Sequence, residues 1–343
     1  MDRIAIIGAG AIGSSLGGLL QRAGHSVVLV GRGPHVKATQ ENGLHVEGVR
    51  GDFNVKIEAA ESLTSRPDIA FLTMKTQDVR AAVEAYHGFL LGVPIVTFQN
   101  GVRSDTIVAD ALPKANIASV VVNFHASFLK PGHVTILYAG PLMVGRPFGP
   151  LDDGVESIAT LLREAFPTTA SDNIRGAHWL KLIVNLNNAL PALINGTLRR
   201  VYEDPFLRSF AVRMMREGLR TVARAGIKLE SLPDTSVRMA RAMQFLPTAV
   251  AGRLAGAKLN RMESQWPLIG STLQSLLNKE PTEVDYLNGE VVRLGEQVGI
   301  ATPLNAAIVK LVHQVERTGV FISADAIRQA TETSKARIAS VPG

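Results

Sequence analysis

The first half of the chain alternates short apolar runs with glycine-punctuated polar stretches, and the second half carries longer helical periodicities. Ile4 to Ile7 is too short for a helix and reads as a buried parallel strand. A second strand follows at Val27 to Val30, after an apolar helix and Gly24. His45 to Val49 and Phe53 to Ile57 read as extended segments around Gly48 and Gly51. Asp68 to Met74 and Pro94 to Phe98 are further strands, with a helix from Val79 to about Phe89 between them. The runs Ile117 to Phe124, Val134 to Tyr138 and Leu142 to Gly145 have short connections, which predict antiparallel strands added to the parallel sheet. Val155 to Phe166 reads as helix. Polar and glycine punctuation over Thr168 to Arg175 then places a domain boundary, giving residues 1–172 and 173–343.

Beyond that boundary the pattern is helical throughout. Ala177 to Ile194 is a mostly apolar helix that Pro191 should kink or break just past its polar stripe. Phe206 to Ala225 is a long helix whose Arg213, Arg216, Arg220 and Arg224 read as a solvated face. Leu232 to Pro267 is less regular. Pro281 suits the first turn of a helix with apolar positions Val284, Leu287, Val291, Leu294 and Val298, ending at Gly299.

Composition narrows the class. No window gives a clean membrane-spanning apolar run, and the N-terminus lacks a signal-peptide pattern. The absence of cysteine excludes disulfides, thiolate nucleophiles and cysteine-bound zinc, and fits a cytoplasmic setting. The formal charge of +6 is spread without a dense basic run. Anionic small ligands therefore explain it better than nucleic acid does.

The candidate chemistry begins at Gly8, Gly10 and Gly13, which follow the first strand in the G-x-G-x-x-G spacing and open a helix. The three glycines serve a tight turn, close approach of a pyrophosphate, and helix–strand packing. The helix start offers free N–H groups to a phosphate. The second strand ends Gly31-Arg32-Gly33-Pro34, with no carboxylate before Glu41 to bind a ribose hydroxyl. An arginine there suits a 2′-phosphate, so the expected cofactor is NADP(H). Lys75 and Asn100 sit at the carboxyl ends of later strands, where open α/β sheets bind ligands. Asn100 is placed to reach the nicotinamide ribose and the substrate, with plain turn chemistry before Gly101 as the lesser alternative.

On the helix from Ala177, Lys181, Asn185 and Asn188 are spaced i, i+4 and i+7 and share one face, with Asn187 pointing elsewhere. A cation and two amides without a carboxylate suit a cleft that holds an anion and a carbonyl. A wet helix face is the alternative. Glu283, taken alone, reads as a charge favoured by a helix N-terminus. His125 and His178 have no neighbours at metal-ligand spacing, and no metal is expected.

Taken together, Gly8-Ala-Gly-Ala-Ile-Gly13, Lys75, Gln99-Asn100-Gly101, Trp179-Leu-Lys181-Leu-Ile-Val-Asn185 and Pro281-Thr-Glu283-Val-Asp-Tyr-Leu-Asn-Gly289 resemble the ketopantoate reductases (2-dehydropantoate 2-reductases) over nearly the whole chain. The resemblance implies an α/β N-terminal Rossmann dinucleotide-binding domain plus an all-α C-terminal domain like that of 6-phosphogluconate dehydrogenases, with the active site in the cleft between. It implies NADPH-dependent reduction of a small 2-oxo acid and leaves room for a homodimer. Lys181 then corresponds to the general acid and Glu283 to its catalytic partner. Asn100, Asn185, Asn188 and Ser271 correspond to substrate contacts. Gly8, Gly10, Ala11, Ile12, Gly13, Arg32, Lys75 and Asn100 correspond to cofactor contacts. The chain departs from the family pattern at Asn188, which stands one residue away, and at Ser275, where the family often has an acid. The stretch from Gly226 to Ser271 is also longer than usual. The alternatives are reduction of another 2-oxo acid or opine-like amine formation on the same scaffold, or a dinucleotide sensor without chemistry. Lys181 and Glu283 argue against the sensor.

Overall fold

The computed structural model describes residues 3–263 and 270–339. The chain divides after His178 into two compact units. Twelve strands lie in the first: β1 Arg3–Ile7, β2 Ser26–Val30, β3 Leu44–Gly48, β4 Phe53–Val55, β5 Glu58–Ala60, β6 Ile69–Leu72, β7 Ile95–Thr97, β8 Ile117–Val122, β9 His125–Lys130, β10 His133–Tyr138, β11 Leu142–Gly145 and β12 Thr168–Ala170. They form an eight-stranded sheet of order β12-β11-β8-β7-β6-β1-β2-β5 and a four-stranded sheet of order β4-β3-β10-β9.

In the large sheet β1 pairs in parallel with β2 on one side and β6 on the other, so the chain order reverses there. That is where such sheets bind ligands, beyond the carboxyl ends of the strands. Ile4, Ala5 and Ile6 are fully buried, as expected of a central strand covered on both faces.

Two expectations fail in this unit. Of the three late runs, β8 continues the parallel sheet and β11 adds to it antiparallel. β10 does not join it. It pairs with β3 in parallel and with β9 antiparallel in the small sheet. Its own alternation explains why: Val134 and Ile136 are buried while His133, Thr135 and Tyr138 are more open, the pattern of a strand with one wet face. The strands β9 and β12 were not anticipated, and the helix after β6 is split into Val79–Ala85 and His87–Leu90.

The helix Ala11–Arg22 is packed by both sheets. A β-carbon on Gly17 would fall 2.7 Å from Leu29 of the large sheet, and one on Gly18 would fall 2.6 Å from Val46 of the small one. A polar relay adds to this. The Gly132 N–H donates to His35 Nδ1 (2.9 Å), which leaves the ring proton on Nε2 to reach Ser14 Oγ (3.2 Å). Ser14 Oγ in turn donates to Ala9 O in the glycine turn (3.3 Å). Burial lowers the His35 pKa, which favours the neutral ring this relay needs.

The described part of the second unit is built from helices around the long helix Pro205–Arg224. Its Glu217 is buried and accepts hydrogen bonds from the backbone N–H groups of Leu304 and Asn305 (3.0 Å each), the open amides of the helix Pro303–Thr318. The arginine stripe on the long helix is only partly a solvated face. Arg216 donates to Met243 O (2.9 and 3.0 Å), to Thr248 Oγ1 (3.0 Å) and to Leu246 O. Arg213, Arg216 and Arg220 line a cavity of about 310 Å³, and of the four arginines Arg220 and Arg224 are exposed.

Three local readings are also corrected. The break at Pro191 lies before the proline: the helix Ile174–Asn185 gives way to a 3-10 turn at Leu186–Asn188, then resumes as Ala189–Leu193. Proline has no N–H for the carbonyl four residues back, here Asn187, and its ring crowds that carbonyl. The stretch from Leu232 contains the helices Val237–Phe245 and Thr248–Glu263, and its last four residues, 264–267, lie outside the described residues. Pro281 precedes the helix it was expected to start. A 3-10 turn at Val284–Tyr286 and a break at Leu287 (φ −116°, ψ −88°) come first, and the helix is Asn288–Val298. It ends at Gly299, whose φ of +70° is left-handed.

Candidate functional site

The first unit assembles the glycine turn from three directions. Gly8 N–H and Ala9 N–H both donate to Val30 O (2.9 and 3.0 Å), while Thr73 Oγ1 donates to Gly8 O (2.8 Å). Gly8 has φ +112°, and a β-carbon there would sit 2.4 Å from Met74 N. One on Gly13 would sit 2.4 Å from Gly8 O. At Gly10, by contrast, nothing beyond the adjoining chain lies within 4 Å of the β-carbon position. Gly10 N-caps the helix Ala11–Arg22 without a side-chain cap, and the first turn holds no acid. The amides of Ala11, Ile12 and Gly13 thus open a helix into free space, which fits a phosphate.

The polar residues at neighbouring strand ends are braced from below. Lys75 is half-buried after β6 and begins the 3-10 turn Thr76–Asp78. Asn100 is half-buried after β7, and its carbonyl accepts from Thr76 Oγ1 (3.3 Å). Gln99 holds these two loops together, since its Nε2 donates to Leu72 O (2.8 Å) and Met74 O (3.0 Å). Sequence reading passed over that role. Arg32 is exposed after β2 and N-caps the helix Gly33–Asn42. Glu61 was also missed. Its Oε1 lies 3.1 Å from where a Gly33 β-carbon would be, so a carboxylate from the end of β5 stands beside the Arg32–Gly33 corner.

The second unit gathers the other candidates. Leu180, Leu182 and Ile183 are buried, while Lys181 and Asn185 are half-buried on the same helix, as is Asn188 in the 3-10 turn. Asn187 faces inward, donating from Nδ2 to Tyr202 Oη (3.1 Å). The 3-10 turn re-aims Asn188 relative to a continuous helix, because each residue there advances by about 120° instead of 100°. Even so, Asn188 packs beside the residue preceding Ser271: a β-carbon on Gly270 would lie 3.6 Å from the Asn188 side chain. Ser271 is exposed at the start of the helix Ser271–Leu277, and Ser275 Oγ donates to its carbonyl (3.1 Å).

Burial pulls the Lys181 pKa from 10.5 down to about 8, and the carboxylates of Asp234 and Glu283 oppose that shift. Glu283 is half-buried and precedes the Val284–Tyr286 turn without capping it. The reading of Glu283 as a simple capping charge therefore does not describe it. Asp234, in the turn closed by the Leu232–Thr235 bridge, carried no signal in the sequence. The helical unit thus holds an ammonium that gives up its proton far more readily than a solvated lysine, with two carboxylates to steady it.

The two histidines read as structural or surface groups are placed accordingly. His178 is buried against Ser119 Oγ (2.8 Å), and His125 is exposed on β9.

Comparisons with known proteins give this geometry a context. Residues 4–147 match the family model described as "Ketopantoate reductase PanE/ApbA", and residues 173–316 match its C-terminal model. A 2-dehydropantoate 2-reductase of Pyrococcus abyssi is 30% identical over 90% of this chain and 96% of its own. The chain belongs to the ketopantoate reductase family. A second relative of that name, from Archaeoglobus fulgidus, is 30% identical over 92% of this chain and 98% of its own. Among solved structures, a PanE/ApbA family ketopantoate reductase from Ralstonia eutropha JMP134 superposes with a TM-score of 0.79 at 29% identity, covering 92% of this chain and 98% of that one. A D-mandelate dehydrogenase solved with NADH and anilino(oxo)acetate shares the fold, with a TM-score of 0.80 at 21% identity over 92% and 99% of the two chains. Within the family, the Rossmann unit and the helical unit described above are the expected pair.

No helix among the described residues is long and apolar enough to cross a membrane.

Proposed function

We propose that this protein is a cytoplasmic NADPH-dependent reductase that converts ketopantoate to pantoate, a step toward pantothenate and coenzyme A. Residues 1–172 bind the dinucleotide, and residues 173–343 supply the acid and the substrate contacts. The observation that carries this reading is Lys181, an ammonium whose pKa is brought down to about 8 beside Asp234 and Glu283. Bound NADPH supplies the hydride to the carbonyl carbon. As negative charge grows on the carbonyl oxygen, the Lys181 ammonium stabilises it and then gives it a proton. Glu283 orients that ammonium or accepts a substrate hydroxyl. Asn185, Asn188 and Ser271 hold the carboxylate and hydroxyl groups, with Asn100 as a further substrate contact. Gly8, Gly10, Ala11, Ile12 and Gly13 receive the pyrophosphate, with Lys75 and Asn100 contacting the ribose or phosphate.

NADPH oxidation with ketopantoate, run beside a panel of other 2-oxo acids, tests the reading. A better substrate among the others would reassign the acid, and no oxidation above background with any of them would reject the chemistry.

The choice of NADPH rests on Arg32. A charge-assisted hydrogen bond contributes about 1.5–3 kcal/mol, so Arg32→Ala is expected to raise the KM for NADPH by about tenfold or more and leave that for NADH nearly unchanged. Glu61 stands near the same corner. Glu61→Gln should therefore move the KM for NADPH in the opposite direction. Steady-state kinetics with both cofactors reads the two variants, and equal loss with NADH and NADPH in Arg32→Ala would remove Arg32 from the discrimination.

A further inference from the structure

The outer face of the small sheet carries a cluster of residues that the reductase chemistry does not use. β10 pairs with β3 in parallel, with His133 opposite His45 and Thr135 opposite Glu47. Side chains two apart on a strand share a face, so His45, Glu47, His133 and Thr135 all project the same way. The two imidazoles stack at 4.6 Å between centroids, 24° from parallel. His133 Nε2 lies 3.0 Å from Glu47 Oε1, and Thr135 Oγ1 donates to that same oxygen (2.8 Å). His45 Nε2 lies 3.0 Å from Asp52 Oδ1, yet this buried nitrogen makes no hydrogen bond among the described residues.

One donor atom each from His45, Glu47 and His133 falls within 4.8 Å of the others, the only such group among the described residues. Ligands on a tetrahedral zinc-class ion stand about 3.3 Å apart. The cluster therefore needs only small side-chain rotations to close on one. Asp52 is well exposed beside His45 and is free to supply a fourth oxygen or leave that position to water.

We propose that His45, Glu47 and His133, with Asp52 in reach, form a binding site for a divalent transition-metal ion of the zinc class. Two imidazole nitrogens with carboxylate oxygens suit zinc, cobalt, nickel or copper, whereas magnesium and calcium prefer all-oxygen sets. Thr135 acts as the outer partner that fixes the Glu47 carboxylate. The ion would clasp β3 to β10, two strands brought together from distant parts of the chain. It binds the folded arrangement and not the open chain, so it stabilises the fold by mass action. This inference does not depend on the reductase reading, and its test measures binding and stability, not turnover.

The test is titration of the chelator-treated full-length protein with Co2+, followed by d–d absorption, displacement by Zn2+ and thermal unfolding. The expected result is one Co2+ per chain, displaced by Zn2+, with a Tm that rises with metal concentration. His133→Ala and the milder Glu47→Gln should each weaken binding by at least about tenfold, the loss typical of disturbing even an outer partner. His313, which is held by Glu316 (2.6 Å) and Asp285 (3.0 Å), serves as the control, and His313→Ala should bind as wild type does. The site is refuted if wild type takes up no Co2+ at about millimolar concentration, where binding is worth only some 4 kcal/mol. It is equally refuted if Glu47→Gln and His133→Ala both retain full affinity, or if His313→Ala loses it.

Discussion

Replacing Lys181 with alanine is expected to lower turnover by about 10²–10⁴-fold while NADPH binding is unchanged. Among the candidate residues of the helical unit, the Lys181 ammonium is the one whose chemistry can both stabilise an oxyanion and protonate it. Its pKa of about 8 sets the pH dependence. Reduction needs the protonated amine, so kcat/KM should be level below about pH 8 and fall by about tenfold per pH unit above it. The reverse oxidation needs the neutral amine and should rise over the same range. Asp234 is the larger of the two carboxylate influences that raise this pKa. Asp234→Asn should therefore move the limb to lower pH, and a limb that stays in place would show that some other group titrates. The depressed pKa also acts on stability. The unfolded chain binds this proton more tightly, so the fold is penalised below about pH 8, and the penalty is relieved as pH rises toward 10.5. Lys181→Ala removes that penalty together with the activity, so near pH 7 the inactive variant should not unfold at a lower temperature on account of the lost charge. Thermal unfolding of the variant checks that separation.

The second large effect is a contrast between the first two glycines of the same motif. Gly8→Ala places a methyl 2.4 Å from Met74 N on a backbone at φ +112°. Overpacking and backbone strain each cost about 1–3 kcal/mol, so the variant should lose stability outright and bind NADPH poorly as a consequence. Gly10→Ala meets nothing beyond the adjoining chain within 4 Å. It should keep the wild-type Tm, yet weaken NADPH binding by about tenfold or more, because the methyl occupies the approach of a pyrophosphate. Calorimetric unfolding and cofactor titration on both variants separate the two roles. Tight NADPH binding by Gly10→Ala would place the phosphate elsewhere.

The parts of this fold that could be read from the chain are those decided locally. Ile4 to Ile7 and the glycines after it specify strand, turn and helix within a dozen residues, and the structure builds them as read. Gly299 likewise marks its helix end through a left-handed backbone that its β-branched neighbours Val298 and Ile300 would adopt only at a cost. Partner choice was not legible. Whether β10 extends the large sheet or lies beside β3 depends on packing between segments far apart in sequence, and only its alternation hinted at a wet face. Pro191 was read correctly as a breaker but one turn too late, because the bond it cannot make belongs to Asn187. On the candidate site, the spacing of Lys181, Asn185 and Asn188 marked the half-buried line on an otherwise apolar helix. Asp234 and Glu61 escaped notice because a lone acid in a turn carries no periodicity, and only folding brings it to a cation or a strand end.

The helix Ala11–Arg22 has a sheet against each flank, with Gly17 and Gly18 as its points of contact. Such a wedge has no spare width. Adding even one methyl at Gly18 would force Val46 of the small sheet to give way, on the helix that opens from the phosphate turn. Substitution at these two positions should therefore cost stability, and a designer wishing to graft a new cofactor specificity here must work on the rim and leave the wedge alone.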